Sequence, residues 1–298
     1  MISRYAFPVA LLLALLALVA AGQAGRHAAP PSGEHGQILS IFASREDGSN
    51  RVITDKEVAL YDDGIEQKIQ SLSPDPTPAR IVLLVDNSRS LRTDVPKLAR
   101  VAREFAYEIY EGDQLLIVGY DEQPEIIVDW TDDAKKIEAS LAEFRKRGEP
   151  HLFDALSAVV NQALLPLSST GHKRVIVLIG DGLDRGSKTK FDTVLAELQS
   201  QDITVYALQI PDRTGGALRR DQPKPSEVVR QLAEGTGGRI LPLDDPRTVA
   251  RSICDELRKN RYLLAYTPTN VSFLSPRRLL VVGDSGIDIR AKAMAPAK

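Results

Sequence analysis

Oxygen-bearing side chains follow an apolar run close to residue 80 of this sequence. Residues 81–85 are all apolar, and they are followed at every second position by Asp86, Ser88 and Ser90. A short, wholly apolar run predicts a strand buried on both faces, as in a parallel sheet. One carboxylate and two hydroxyls at its carboxyl end suit a hard cation such as Mg²⁺, and ligands of open α/β sheets bind at that end. The alternative is that Asp86 only ends the strand and that Ser90 or Thr93 caps the next helix.

A second apolar run ends in the same way. Residues 175–179 are apolar, and Asp181 and Asp184 follow within a glycine-containing turn. Because the carboxyl ends of parallel strands lie at one edge of a sheet, a strand order that makes these two strands neighbours brings the two ends together. Two carboxylates and two hydroxyls would then lie within reach of one ion.

Strand-like and helix-like segments alternate between residues 79 and 260, which predicts a doubly wound, Rossmann-like α/β domain. The loop 121–124 is too short for a parallel crossover, so the strands on either side of it are expected to be antiparallel, one of them at the edge. The predicted strands are 81–85, 114–120, 125–130, 174–179, 203–210 and 239–243, and the predicted helices are 95–110, 131–147, 152–165, 190–199, 226–234 and 248–260.

The flanks of this domain have a different, β-like pattern. Residues 37–78 contain short apolar segments separated by Asp-Gly turns, which are typical of hairpins, and residues 261–298 continue in the same style. We hypothesise that the two flanks pair into one small β module beside the α/β domain. Residues 25–36, rich in proline and glycine, are interpreted as a linker.

The amino terminus has the pattern of a secretory signal peptide. Arg4 precedes an apolar core at residues 9–19, and small residues follow, so residues 1–24 are predicted to be removed on export. The mature protein would then be periplasmic, associated with the cell envelope or secreted, without a stable membrane span. The alternative is an uncleaved anchor, because the apolar stretch from residue 5 to residue 22 is close to spanning length.

Composition limits the classes of function. The chain has 298 residues, 43% of them hydrophobic and 26% charged, which is typical of a globular protein. A net charge of −2 gives no electrostatic basis for binding nucleic acid. The single cysteine, Cys254, excludes an internal disulfide and is predicted to be a buried residue of the last helix of the α/β domain.

The two oxygen-rich strand ends resemble the metal-ion-dependent adhesion site of von Willebrand factor A domains, which combines Asp-x-Ser-x-Ser, a later Thr and a later Asp. Order and spacing from residue 37 to residue 293 are similar to bacterial VWFA-related proteins, whose tail resembles residues 262–268. The resemblance implies Mg²⁺, or alternatively Mn²⁺ or Ca²⁺. It also implies a protein partner that offers an Asp or Glu carboxylate to the ion. The implied metal ligands are Asp86, Ser88, Ser90 and Asp181.

The sequence departs from the family pattern at two positions. Pro150 stands where the family has the ligating Thr, so water or Glu149 would have to supply that oxygen. Arg89 replaces a glycine between the serines, and its charge is expected to pair with Asp86 or Asp181 and to oppose the ion. Asp154 is interpreted as a supporting or helix-capping residue, as is Asp184. The residues predicted to contact a partner are Arg89, Glu149, His151 and Asp184.

Enzymatic alternatives lack their defining residues. An aspartyl-nucleophile phosphatase would need an acid where Ser88 stands, and neither Gly-x-Ser-x-Gly nor a phosphate-binding loop is present. The four histidines form no zinc pattern. We therefore expect an adhesion or binding protein with no catalytic residues. The alternatives are a metal-free scaffold protein of the cell envelope and a metal-dependent hydrolase.

Overall fold

The structure is a computed structural model that describes residues 36–91, 93, 95–141, 144–210 and 223–297. The predicted signal peptide and all but the last residue of the predicted linker lie outside these residues. None of the described helices combines the length and the apolar character needed to cross a membrane.

The described residues form strands and helices in the following chain order. The strands are β1 (Gln37–Arg45), β2 (Val58–Asp62), β3 (Ile65–Gln67), β4 (Ile69–Pro74), β5 (Ala79–Asp86), β6 (Gln114–Tyr120), β7 (Pro124–Thr131), β8 (Lys173–Gly180), β9 (Thr204–Gln209), β10 (Ile240–Pro242), β11 (Arg261–Tyr266), β12 (Arg277–Gly283), β13 (Ile287–Ala291) and β14 (Met294–Ala295). The α-helices are α1 (Val95–Glu108), α2 (Ala134–Ser140), α3 (Leu152–Ala158), α4 (Phe191–Ser200), α5 (Pro225–Gly235) and α6 (Pro246–Lys259).

The central sheet has the order β10-β9-β8-β5-β6-β7. Its strands are parallel except β7, which pairs antiparallel with β6 at one edge. This confirms the doubly wound α/β fold and the antiparallel strand that the short loop predicts. β5 lies between β8 and β6, so its carboxyl end is at the centre of that edge of the sheet.

Both faces of β5 are buried under helices, as its continuous apolar run predicts. Leu83 packs in one core with residues of α1 and α6, whereas Leu84 packs in a second core with residues of α3, α4 and α5. Burying a leucine side chain contributes roughly 1.5–3 kcal/mol, so the strand is held firmly on both sides. Cys254 is buried in α6, as expected.

Strands from both flanks of the α/β domain share two smaller sheets. Their orders are β13-β1-β11-β4 and β14-β12-β2-β3. β1 pairs antiparallel with β11 and β13, so the amino-terminal flank lies between strands of the carboxyl-terminal flank. Within the second of these sheets, the buried Arg277 of β12 donates from Nε to Oδ1 of the buried Asp62 of β2 at 2.8 Å.

Two predicted helices are shorter than expected. The helix predicted over residues 131–147 is the α-helix Ala134–Ser140, because Thr131 still pairs with Leu115 in the sheet. Its N-cap is Asp133, whose Oδ1 accepts from the backbone N–H of Lys135 at 2.9 Å. The helix predicted over residues 152–165 is α-helical only as far as Ala158 and continues as a π turn and a 3₁₀ turn.

Candidate functional site

The two oxygen-rich strand ends are neighbours. β5 and β8 pair in parallel with Val85 opposite Ile179, so Asp86 ends level with Gly180, and Asp181 follows at once. The sequence-based expectation that these ends lie side by side is therefore confirmed. Three predicted ligands belong to the turn after β5, and the fourth lies on the adjacent turn after β8.

Gly180 leaves the space in which these side chains meet. A Cβ at this position would lie 3.1 Å from the hydroxyl of Tyr120 and 3.2 Å from Cβ of Asp86. Both contacts are tighter than ordinary van der Waals packing, so a larger residue would push the Asp86 carboxylate out of place. Sequence reasoning did not identify Gly180 or Tyr120 as part of the site.

Asp86 is fully buried, and only one of its carboxylate oxygens has a hydrogen bond. Oδ1 accepts from the backbone N–H of Ser88 at 2.8 Å, whereas Oδ2 accepts none from the described residues. Burial raises the pKa of Asp86 from 3.8 to about 7; the Ser88 hydrogen bonds oppose this rise, and the charge of Asp181 adds to it. The fold therefore holds a carboxylate whose charge it only partly compensates.

The hydroxyls of Ser88 and Ser90 complete this cluster. Their Oγ atoms are 2.9 Å apart, with Ser88 fully buried and Ser90 partly exposed. On the neighbouring turn, Oδ1 of Asp181 accepts from the backbone N–H of Leu183 at 3.0 Å. Hydroxyl and carboxylate oxygens are the ligands that hard divalent cations prefer.

The family model of the von Willebrand factor type A domain matches residues 81–252, which is more than half of the chain. The chain belongs to this family. The resemblance inferred from the two strand ends is thereby confirmed, and the central sheet with its helices is the A domain. Domains of this family mediate protein–protein interactions and typically bind a metal ion at their adhesion site.

Several solved structures are similar to this chain. An aerotolerance-related membrane protein from Bacteroides fragilis NCTC 9343 is 17% identical, with 61% of this chain and 99% of that chain covered and a TM-score of 0.46. A von Willebrand factor type A protein from Catenulispora acidiphila is 11% identical, with 90% and 75% covered and a TM-score of 0.49. Proximal thread matrix protein 1 from the mussel byssus, with zinc in its MIDAS motif, is 12% identical, with 66% and 49% covered and a TM-score of 0.47. No curated protein sequence is significantly similar to this chain.

The donor set of this A domain fits a hard divalent cation with four protein ligands. Asp86 offers a buried oxygen that accepts no hydrogen bond from the described residues, and the two serine hydroxyls lie in the same turn. The described residues contain no group of three or more His, Cys, Asp or Glu side chains arranged for a metal, so the hydroxyls are needed. Pro150 is buried, and its carbonyl oxygen accepts from the N–H of Arg185 at 2.8 Å. The position of the family threonine is thus used for loop packing.

The positive charge that acts on Asp86 is that of Lys146 and not that of Arg89. Arg89 is exposed, and its backbone N–H donates to the carbonyl oxygen of Arg147 at 3.2 Å. This pairing aligns residues 145–148 with the turn after β5, and Nζ of Lys146 donates to the carbonyl oxygen of Leu91. The charge of Lys146 lowers the pKa of Asp86, against the larger effect of burial. The prediction that Arg89 pairs with Asp86 or Asp181 is therefore wrong.

The side chains of two other residues predicted to contact a partner form contacts within this protein. Asp184 is 4% exposed, and its Oδ1 accepts from the N–H of Phe153 at 3.2 Å and from Oγ of Ser187 at 2.5 Å. It therefore holds the first turn of α3 and is not part of a free surface, which corrects its predicted role in partner binding. Glu149 forms an ion pair with Arg185 at 2.9 Å, so it does not substitute for the missing threonine.

His151 and Asp154 also support the loops around the site. A Cβ on Gly186 would lie 2.0 Å from Nε2 of His151, so the half-buried imidazole packs directly against that glycine. Asp154 accepts from the backbone N–H groups of Lys188, at 3.0 Å, and Thr189, at 2.8 Å. This agrees with the supporting role predicted for Asp154.

Proposed function

We propose that this protein binds a protein partner through the carboxyl edge of its central sheet, at the position of the adhesion site. The observation that carries the proposal is the Asp86 carboxylate, which is buried with Oδ2 unpaired among the described residues. Burying a polar oxygen without a hydrogen bond costs free energy, and groups kept in this state are concentrated at functional sites. The serine hydroxyls beside it make the cluster suitable for binding.

In this proposal Asp86, Ser88, Ser90 and Asp181 would hold Mg²⁺, with Mn²⁺ or Ca²⁺ as alternatives. A bound ion would supply an open coordination position for an Asp or Glu carboxylate of the partner. The two serines are neutral, so they would leave the charge of the ion partly uncompensated. Lys146 and the lack of a side-chain oxygen at Pro150 would weaken the affinity for the ion but would not remove any of the four ligands.

We further propose that the protein acts outside the cytoplasm and is not an enzyme. The signal-peptide pattern of residues 1–24 supports export to the periplasm, the cell envelope or the medium. The partner is proposed to be a protein, because the family mediates protein–protein interactions and the net charge of −2 does not favour nucleic acid.

A metal-free scaffold protein is the second candidate. Pro150 and Lys146 favour it, because one removes a metal ligand of the family and the other places a positive charge beside Asp86. In such a protein the same edge of the sheet would serve assembly without an ion.

Titration with Mg²⁺ and Mn²⁺ separates the two candidates. We expect calorimetric heat and a rise in Tm that EDTA reverses for the wild type, and neither for Asp86→Ala. Asp129→Ala, which removes an exposed carboxylate of β7, serves as the matched control and should behave as wild type. Absence of heat and of any Tm shift in the wild type would exclude the metal-dependent form.

Partner capture tests the binding role itself. Immobilised wild type and Asp86→Ala are incubated with envelope extract, with and without EDTA, and bound proteins are identified by mass spectrometry. The proposal expects a protein that the wild type retains and the variant loses. A protein retained equally under all conditions would show that this site is not the recognition element.

A further inference from the structure

A pocket of about 600 Å³ opens beside the adhesion-site position, at the end of β6. Its lining includes Asn87, which separates the predicted ligands Asp86 and Ser88 in the sequence. The charged lining residues come from two segments that are far apart in the chain: Asp121 and Glu125 from the turn before β7 and the start of that strand, and Arg145 and Arg147 from the segment before α3.

The backbone of Asn87 determines how these two segments are arranged. Its N–H donates to the carbonyl oxygen of Tyr120 at 2.8 Å, and its carbonyl oxygen accepts from the N–H of Arg147 at 2.8 Å. Asn87 therefore lies between the acidic turn and the basic segment, in the way a strand lies between two neighbours. One side of the pocket carries two carboxylates and the other carries two guanidinium groups.

The charges on the two sides do not neutralise one another. Arg145, Arg147 and Glu125 are exposed, and none of them forms an ion pair with another of the described residues. Asp121 accepts a hydrogen bond from the N–H of Gln123 at 3.2 Å and has no ion pair in the described part of the chain. Opposite charges that are held apart in a pocket can each meet a complementary group of a ligand.

The amide of Asn87 supplies a third, buried contact. The residue is 8% exposed, and its Oδ1 has no hydrogen-bond partner among the described residues. A Cβ on Gly119 would lie 2.6 Å from Nδ2 of Asn87, so the glycine is needed to make room for this amide. A buried acceptor without a donor is unfavourable, and an N–H of a ligand would supply the missing hydrogen bond.

We propose that this pocket binds a peptide segment of a protein partner in which an acidic and a basic side chain lie close together. The acidic side chain pairs with Arg145 and Arg147, the basic side chain pairs with Asp121 and Glu125, and a backbone N–H of the peptide donates to Oδ1 of Asn87. The inference rests on the proposed protein-binding role of this sheet edge, but it requires no metal ion. Recognition through both charges would select against purely acidic and purely basic partners.

Fluorescence anisotropy with a labelled peptide of Gly-Asp-Gly-Lys repeats tests the proposal. All measurements are made in EDTA and at low salt, with a peptide of Gly-Asn-Gly-Gln repeats as the uncharged control. We expect binding of the charged peptide only. Loss of one pair of charge-assisted contacts should weaken it at least tenfold, both in R145Q/R147Q and in D121N/E125Q. N87A should weaken it severalfold.

The control variant R100Q/R278Q removes the same charge as R145Q/R147Q from exposed arginines of α1 and β12. It should bind the peptide as wild type does. No binding to the wild type, an equal loss in the control, or a loss in only one of the two pocket variants would overturn the proposal. EDTA is present throughout, so peptide binding is expected even if the wild type shows no binding of Mg²⁺. If R145Q/R147Q binds Mg²⁺ as the wild type does, the peptide pocket and the metal site are separate.

Discussion

Two fully buried carboxylates, Asp62 in the β module and Asp86 in the A domain, differ in the hydrogen bonds that their oxygens accept. Oδ1 of Asp62 accepts from Nε of the buried Arg277 at 2.8 Å, and its Oδ2 accepts from the hydroxyl of Tyr266 at 3.1 Å. Asp86 has one backbone hydrogen bond to Oδ1 and none from the described residues to Oδ2. Both side chains are 0% exposed.

This is the difference expected between a structural charge and the binding charge that we propose for Asp86. Both oxygens of Asp62 accept hydrogen bonds, one from Arg277 in the same sheet and one from Tyr266 in the other small sheet, and breaking a buried ion pair is strongly destabilising. A buried carboxylate with an unpaired oxygen lowers stability and is useful only when something else supplies the missing contact. Burial alone therefore does not distinguish the two roles; the partners of each oxygen do.

The largest effect is expected for Asp62→Asn. Removing this charge leaves the Arg277 guanidinium buried without a counterion, which should cost about 3–5 kcal/mol of the free energy of unfolding. Urea unfolding at neutral pH measures it. Asp63→Asn is the matched control, because Asn tolerates the positive φ of 51° there and can still accept from the N–H of Arg278. A loss below about 1 kcal/mol in Asp62→Asn would contradict the structural role.

Asp86→Asn is expected to raise the free energy of unfolding, whereas Asp62→Asn lowers it. In EDTA at pH 8 Asp86→Asn should stabilise the protein by at most about 4 kcal/mol, because burial raises the pKa of Asp86 from 3.8 to about 7. Between these two pH values the folded state retains a proton that the unfolded state releases, so the wild type loses stability as the pH rises. The gain from Asp86→Asn should therefore be small at pH 4 and complete above pH 7. Destabilisation at pH 8, measured by urea unfolding, would make Asp86 a structural charge like Asp62.

Pro150→Thr should strengthen Mg²⁺ binding at Asp86, because it restores the hydroxyl that the family pattern has at this position. We expect the Kd for Mg²⁺ to fall about tenfold, equivalent to about 1.4 kcal/mol, in isothermal calorimetry. Pro150→Ala also removes the ring but adds no oxygen, so it is the control and should not bind Mg²⁺ more tightly. Equal affinities of the two variants would show that this loop does not reach the ion.

The smallest effect is expected for Arg89→Gln. The side chain is exposed, so its repulsion of an ion is screened, and the Kd for Mg²⁺ should fall only about twofold at low salt and less at high salt. Arg278→Gln, a second exposed arginine, is the control for net charge. Stability should stay within about 0.5 kcal/mol of wild type, and a larger change in either quantity would mean that Arg89 contacts the site directly.

Local patterns were sufficient for much of the fold. The continuous apolar runs of β5 and β8 predicted buried parallel strands, and the loop 121–124 required β7 to be antiparallel. The predicted start of α2 at residue 131 was wrong, because Thr131 still pairs with Leu115 in the sheet and Asp133 provides the cap. Such a boundary depends on where a sheet ends in three dimensions, which local propensity does not record.

By itself, the sequence determined where Asp86, Ser88, Ser90 and Asp181 lie in this A domain, since the apolar runs and the spacing place them at the carboxyl ends of two buried parallel strands. Only the tertiary structure decided how those residues are surrounded. Lys146 lies near Asp86 and Asn87 lies between two oppositely charged segments because non-local backbone pairing brings residues 145–148 against the turn after β5. Hydrogen-bond partners, burial and charge compensation depend on such contacts between distant segments, and these contacts make the difference between Asp62 and Asp86.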